Sequence, residues 1–178
     1  MHKIEVPKDL LIELDKVRKL KENIIETDYC ASESSYEVER SFSSHKMAMP
    51  AMGAAPNPSW IHEQELKPSF YDLIIKYANK LGIKDSDLYK SAYVDRRLFS
   101  KIRSGHKPGI KIVIRLGLVL ELNMEEFNEL LSSCNYSLYE DEYFDVAIKY
   151  FIKNKIYNID KCNDILYSCN LELLNDYN

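Results

Sequence analysis

The sequence has few of the residues that build covalent or metal-centred sites. No two of its cysteines form a CxxC pair, and its four histidines form neither HxxxH nor HExxH. These absences speak against a zinc site and against a disulfide framework. We therefore predict no metal and no cofactor, and we expect reduced, mostly buried thiols at the four cysteines. They are Cys30, Cys134, Cys162 and Cys169.

Glycine-rich motifs and long apolar runs are missing as well. The five glycines stand apart, so there is no phosphate-binding loop, and GxSxG does not occur. Acidic runs such as 140–142 are typical of helix starts and solvated faces, so we predict no enzymatic activity. No run approaches the roughly 18 apolar residues of a membrane span, and no apolar signal-peptide stretch follows the first residues. We expect a cytoplasmic protein without a membrane partner.

Charge is distributed unevenly along the chain. The net charge of −4 argues against binding nucleic acid by bulk attraction. Residues 84–115, however, contain nine Lys or Arg and three Asp or Glu, whereas residues 116–178 contain four and twelve. Such asymmetry is typical of a nucleic-acid-binding face, and equally of two solvated faces that attract each other. Charge alone does not separate these alternatives.

The N-terminal part predicts one helix followed by a linker. Apolar residues between 4 and 26 recur at three- and four-residue steps, which indicates an amphipathic helix that begins after Pro7. Serine-rich and then Met-, Ala- and Pro-rich sequence follows. We therefore assign 1–66 to an N-terminal helix and a flexible linker. The methionines and alanines leave open a docking peptide for a protein partner within 1–60.

Residues 67–178 predict a second, helical domain. Five consecutive helices are expected in its core, residues 69–135. The fourth of them is apolar nearly all round, so the C-terminal segment or a second subunit should cover its far side. The predicted N-terminal signals of these five helices are Ser69, Asp85, Asp95, Pro108 and Asn123.

An internal echo extends the helical pattern through residues 136–178. Residues 158–170 match residues 123–135 without gaps at a constant offset, and each copy follows an apolar helix, the second at about 144–153. The echo indicates either a helix pair used twice or convergence on a capped amphipathic helix. Either origin predicts two additional C-terminal helices.

Residues 84–105, KDSDLYKSAYVDRRLFSKIRSG, resemble the helix-turn-helix of lambda-repressor/Cro-like (XRE family) regulators. Matching positions include the small Ala92, the turn residue Val94, the polar cap Asp95 and the apolar Phe99 and Ile102. The likeness covers about 84–131 and the preceding helix. It implies an all-α fold with a five-helix lambda-repressor-like core, two additional C-terminal helices, and an N-terminal helix plus linker. The extension also resembles the XRE-like tails of some bacterial multidomain proteins.

Three positions differ from the family pattern. Asp85 stands where the family often has glutamine, and Tyr89 stands where it has a small residue. Tyr93 occupies the turn position that usually holds glycine, where a positive φ is expected.

The resemblance implies that the helix from Asp95 to Ser104 enters the major groove of double-stranded DNA. The competing interpretation is that the polar residues of this helix only form the solvent-exposed side that any amphipathic helix has. The resemblance implies a dimeric bacterial transcription regulator, and the alternative is a non-catalytic adaptor that docks a protein partner through its N-terminal segment. The predicted DNA-binding residues are Arg96, Arg97, Ser100, Lys101, Arg103 and Lys107.

Overall fold

The computed structural model describes residues 6–31 and 68–175, with side chains for all of these except 23–31. Within those ranges the chain forms eight helices and no strand, which confirms the all-α class. None of the described helices combines the length and apolarity that a bilayer crossing needs. The helices are α1 Lys8–Ala31, α2 Phe70–Leu81, α3 Asp85–Ser91, α4 Arg96–Arg103, α5 Ile110–Val119, α6 Met124–Ser133, α7 Tyr143–Lys153 and α8 Ile159–Ser168.

The helix α5 lies at the centre of the core. It packs against α3, α6 and α8, while α2 packs against α4 and α6. The contact with α8 confirms that the C-terminal segment covers the far side of this apolar helix. Removing so much apolar surface from water is the main stabilising contribution to the fold. Fully buried side chains on these helices include Leu73, Leu88, Ile114, Leu116 and Phe127.

The helix α1 packs on α7 through the buried Leu10 and Val17. An ion pair joins Lys21 Nζ to Glu142 Oε2 at 3.2 Å beside this contact. The helix extends past residue 26, its predicted end, because residues 26–31 contain neither glycine nor proline to stop it. Most of the predicted linker, residues 32–67, lies outside the described residues.

Most of the predicted helix starts are found. Ser69 and Asn123 form capping boxes, and the Asp95 side chain accepts hydrogen bonds from two backbone N–H groups of α4. The prediction of Asp85 as a cap is wrong. Lys84 is the N-cap of α3, without a side-chain bond, and Asp85 is the first helical residue. Its carboxylate instead forms an ion pair with Arg103 of α4.

Helices α2 to α8 all end in the same Schellman-type turn. In each turn a backbone N–H donates to the carbonyl five residues earlier, across one residue in the left-handed region. Glycine occupies that residue only at Gly82 and Gly105. The two copies of the echo carry Asn135 and Asn170 at equivalent places, so their end turns match in geometry. The other left-handed residues are Tyr93, Glu121 and Lys155, and the five non-glycine φ angles lie between +49° and +60°.

Glycine at one of these turns should stabilise the fold. Lys155 is exposed and has a φ of +55° at the end of α7. Because a Cβ makes this conformation costly, Lys155→Gly is expected to raise the free energy of unfolding by about 0.5–1 kcal/mol over Lys155→Ala, measured by urea denaturation. The alanine variant removes the same charge and keeps the Cβ. Equal stabilities of the two variants would contradict this explanation.

Candidate nucleic-acid interface

The inner face of α4 is fixed by aromatic packing. Phe99 and Ile102 are buried on this face. The ring of Phe99 lies 5.6 Å from that of Tyr89 and 6.3 Å from that of Tyr71, measured between centroids. Tyr89, where the resembled family has a small residue, therefore fills space between α3 and α4. The packing leaves the opposite face of α4 to solvent.

Four of the predicted site residues lie on that outer face, and all four are exposed. At 100° per residue, Arg97 and Ser100 point most directly away from the buried side, while Arg96 and Lys101 lie on opposite flanks. Among the described residues, none of these three cations forms an ion pair. The outer face thus carries three positive charges that are available to an external anion. Lys107, also exposed, follows α4 in the loop before α5.

Arg103 is placed differently from the other predicted cations. Its Nη2 forms an ion pair with Asp85 Oδ2, and its Nε donates to the Tyr71 hydroxyl at 3.1 Å. The Tyr71 hydroxyl in turn donates to the same Asp85 oxygen at 3.2 Å. The hydrogen bond to Tyr71, with that to Asp85, raises the pKa of Arg103. This triangle ties the end of α4 to the starts of α2 and α3.

The turn between α3 and α4 has the backbone conformation that the resemblance implies, although Tyr93 departs from the family pattern. Tyr93 has a φ of +52°, which confirms a positive φ at this position although the residue is not glycine. Its carbonyl accepts a hydrogen bond from Arg115 Nη1 at 3.1 Å, and its hydroxyl lies 2.9 Å and 3.0 Å from the Asp160 carboxylate oxygens. Sequence analysis missed Arg115 and Asp160. A single cation inside the otherwise apolar α5 segment 112–120 was the available signal for Arg115.

Three cysteines have described side chains, and none of the three forms a disulfide. Cys134 and Cys162 are buried and Cys169 is half-buried, and all three are unbonded thiols, as expected. Burial raises the pKa of Cys162 to about 12 and also raises the pKa values of Cys134 and Cys169. These thiols therefore stay protonated near neutral pH. No group of three or more His, Cys, Asp or Glu side chains in the described ranges is arranged to hold a metal ion. Cys30 lies among the residues whose side chains are not described.

A groove of about 790 Å³ lies between α1, α6 and α7, away from α4. Its apolar floor includes Val17, Met124 and Val146. Two lysines at its rim are paired within the chain, because Lys16 lies 3.0 Å from Glu13 and Lys149 lies 3.6 Å from Glu140. Lys153, the third lysine of the lining, forms no ion pair among the described residues, so the groove carries less unpaired positive charge than the outer face of α4.

Comparison of this chain with protein-family models, with curated proteins and with solved structures finds no match.

Proposed function

We propose that this protein binds double-stranded DNA by inserting α4 into the major groove. In this proposal α3 and α4 are the two helices of a helix-turn-helix within a five-helix core, α2 to α6, and the protein is a bacterial transcription regulator without catalytic activity. The observation that carries the proposal is the outer face of α4. It presents Arg96, Arg97 and Lys101 exposed and without ion pairs among the described residues, above a rigidly packed inner face.

The dimensions and charges of α4 suit a major groove. An α-helix with its side chains is about 10–12 Å across, close to the groove's width of roughly 12 Å. Arg97 and Ser100, at the centre of the outer face, are placed to contact base edges. Guanine is the base that arginine contacts best, through two parallel hydrogen bonds to O6 and N7. Arg96 and Lys101, on opposite flanks, are placed to contact the phosphates of the two strands.

The negative charge of Asp85, taken alone, argues against DNA binding, but the structure shows that this charge is paired. A carboxylate at the start of α3 would repel a phosphate, but Arg103 pairs with it and offsets its charge. We therefore assign Arg103 to the contact between α3 and α4 rather than to DNA. Lys107, in the exposed loop after α4, remains in the proposal as a phosphate contact.

One short helix buries too little surface for operator affinity, so the proposal includes two copies on each site. The test is fluorescence anisotropy with a random duplex pool over a series of salt concentrations. We expect binding at low salt. The logarithm of the association constant should fall linearly with the logarithm of the salt concentration, with a slope of about −0.9 per phosphate contacted. Absence of retention at the lowest salt would overturn the proposal.

Asp85→Asn is expected to strengthen binding to random duplexes by about three- to tenfold. The substitution removes a negative charge and releases Arg103 to reach a phosphate, which should also steepen the salt slope by about 0.9. Asp87→Asn is the matched control, because Asp87 is exposed on the same helix and has no ion pair among the described residues. It changes the net charge equally without releasing Arg103. Equal salt slopes for the two variants would contradict the proposal that Asp85 holds Arg103 away from the phosphates.

A second proposal, the adaptor role, is favoured by the outer face of α1. Leu11 and Ile12 remain 49% and 56% exposed although neighbouring residues pack on α7. Exposed apolar side chains on one helix suit a protein partner. Leu11→Ser with Ile12→Ser should abolish capture of such a partner and leave DNA retention unchanged. Partner capture undiminished in this variant would argue against the adaptor role of α1.

A further inference from the structure

Tyr93 carries local strain at the point where α3 turns into α4. Its φ of +52° lies in the left-handed region, which bulky residues rarely adopt because the Cβ approaches the following carbonyl. The same conformation ends other helices of the described chain, but Tyr93 is also held by hydrogen bonds from its carbonyl and its hydroxyl. The contacts around Tyr93 come from parts of the chain that are distant in sequence.

Two elements outside the α3–α4 segment hold this residue. Its hydroxyl donates to the Asp160 carboxylate in the first turn of α8. Its carbonyl accepts from Arg115 Nη1, and the same Nη1 donates to Asn175 Oδ1 at 3.0 Å. The Asn175 side chain is buried. Arg115 therefore connects the turn directly to residue 175.

The segment 171–175 is itself firmly seated on the core. Leu174 is fully buried, and its N–H donates to Asn163 Oδ1 at 2.8 Å. Lys111 Nζ on α5 lies 2.8 Å from Glu172 Oε1. The segment is thus bonded to both α5 and α8, and it offers Arg115 a fixed acceptor.

We infer that Tyr93 is a positioning residue for DNA binding, and this inference rests on the function proposed above. Through it α8 and the segment 171–175 hold the α3–α4 turn and set the angle at which α4 meets DNA. The turn is short, since Val94 N–H already closes α3 on Tyr89 and Asp95 caps α4. A change in the backbone at Tyr93 therefore rotates α4 against α3 and moves the tip of Arg97. Loss of the hydroxyl contact should lower DNA affinity more than it lowers global stability. The reason is that Tyr93 is exposed, so its hydrogen bond contributes little to the stability of the core.

The test uses the full chain and two variants that each remove one contact. Tyr93→Phe removes the bond to Asp160, and Asn175→Ala removes one acceptor of Arg115. Each is expected to lower affinity for duplex DNA by about three- to tenfold, the worth of one hydrogen bond, and to speed amide hydrogen exchange in 93–103. Exchange in α6 and α7 should stay at the wild-type rate.

Two further variants control for unrelated effects. Tyr167→Phe removes a hydroxyl from another exposed tyrosine, on α8, and should change neither readout. Asn175→Asp keeps an acceptor for Arg115 and should restore both affinity and exchange protection. Wild-type affinity and exchange in both Tyr93→Phe and Asn175→Ala would overturn the inference. So would faster exchange spread over all helices, because that is the sign of a merely structural role.

Failure of the proposed function gives a different result. The wild type would then not be retained by DNA at low salt, while the exchange measurement would still report whether Tyr93 and Asn175 hold the turn.

Discussion

Replacing Arg96 and Arg97 together by alanine is expected to weaken duplex-DNA binding by about a hundredfold. A good base or phosphate contact from arginine contributes about 1–3 kcal/mol, and each 1.4 kcal/mol corresponds to about a tenfold change in affinity. The salt slope should also become shallower by about 0.9 for each contact that was made to a phosphate. Because both side chains are exposed, the variant should unfold at the wild-type temperature.

The measurement is fluorescence anisotropy at several salt concentrations, with thermal unfolding of both proteins as the check on folding. Lys153→Ala with Lys161→Ala is the matched control, since it removes two exposed positive charges from α7 and α8. If the control weakens binding as much as the arginine pair does, the attraction comes from bulk charge. The interface would then not be α4.

Gly117→Ala is expected to destabilise the fold by about 2 kcal/mol. Helix propensity alone predicts the opposite sign, because alanine is better than glycine in a helix by about 1 kcal/mol. In α5, however, a Cβ at residue 117 would lie 2.5 Å from Cε2 and 2.8 Å from Cδ2 of Phe127. Phe127 is fully buried, so its ring has little room to move, and overpacking of this kind typically costs about 1–3 kcal/mol. Urea denaturation measures the difference.

Two further variants separate overpacking from other causes. Gly109→Ala, at a position with open space around the Cβ, should cost under about 1 kcal/mol. Phe127→Leu should destabilise the wild type and yet cost much less in the Gly117→Ala background, because the contacting ring atoms are gone. Additive effects of the two substitutions would show that Gly117 and Phe127 do not compete for space.

The helical elements from Ser69 onward were predictable because their signals are local. A capping box at Ser69 requires only residues within one turn, and the period of buried positions follows from the pitch of the helix. The prediction of Asp85 as the N-cap of α3 is wrong, because the residue is the first of the helix and its carboxylate binds side chains of other helices. Arg103, eighteen residues away, binds it together with Tyr71, and no local rule specifies that pairing.

The candidate site was predictable in its residue types and only in part in its geometry. Exposed cations on α4 follow from the amphipathic pattern around Phe99 and Ile102. That Arg103 is occupied within the chain, while Arg96 and Arg97 have no ion pair among the described residues, depends on which side chains approach in space. Distance along the sequence carries no information about such approaches.

The sequence by itself determined that the described part of this chain is all-helical, that α5 needs cover on its far side, and that positive charge concentrates around α4. These properties follow from hydrophobic period, caps and composition, which act within a few residues of one another. Only the tertiary structure decided that α8 provides the cover, that Arg103 belongs to Asp85, and that Tyr93 is held by α8 and, through Arg115, connected to Asn175. Each of these joins residues far apart in the chain, and their partners are chosen by packing of the whole core.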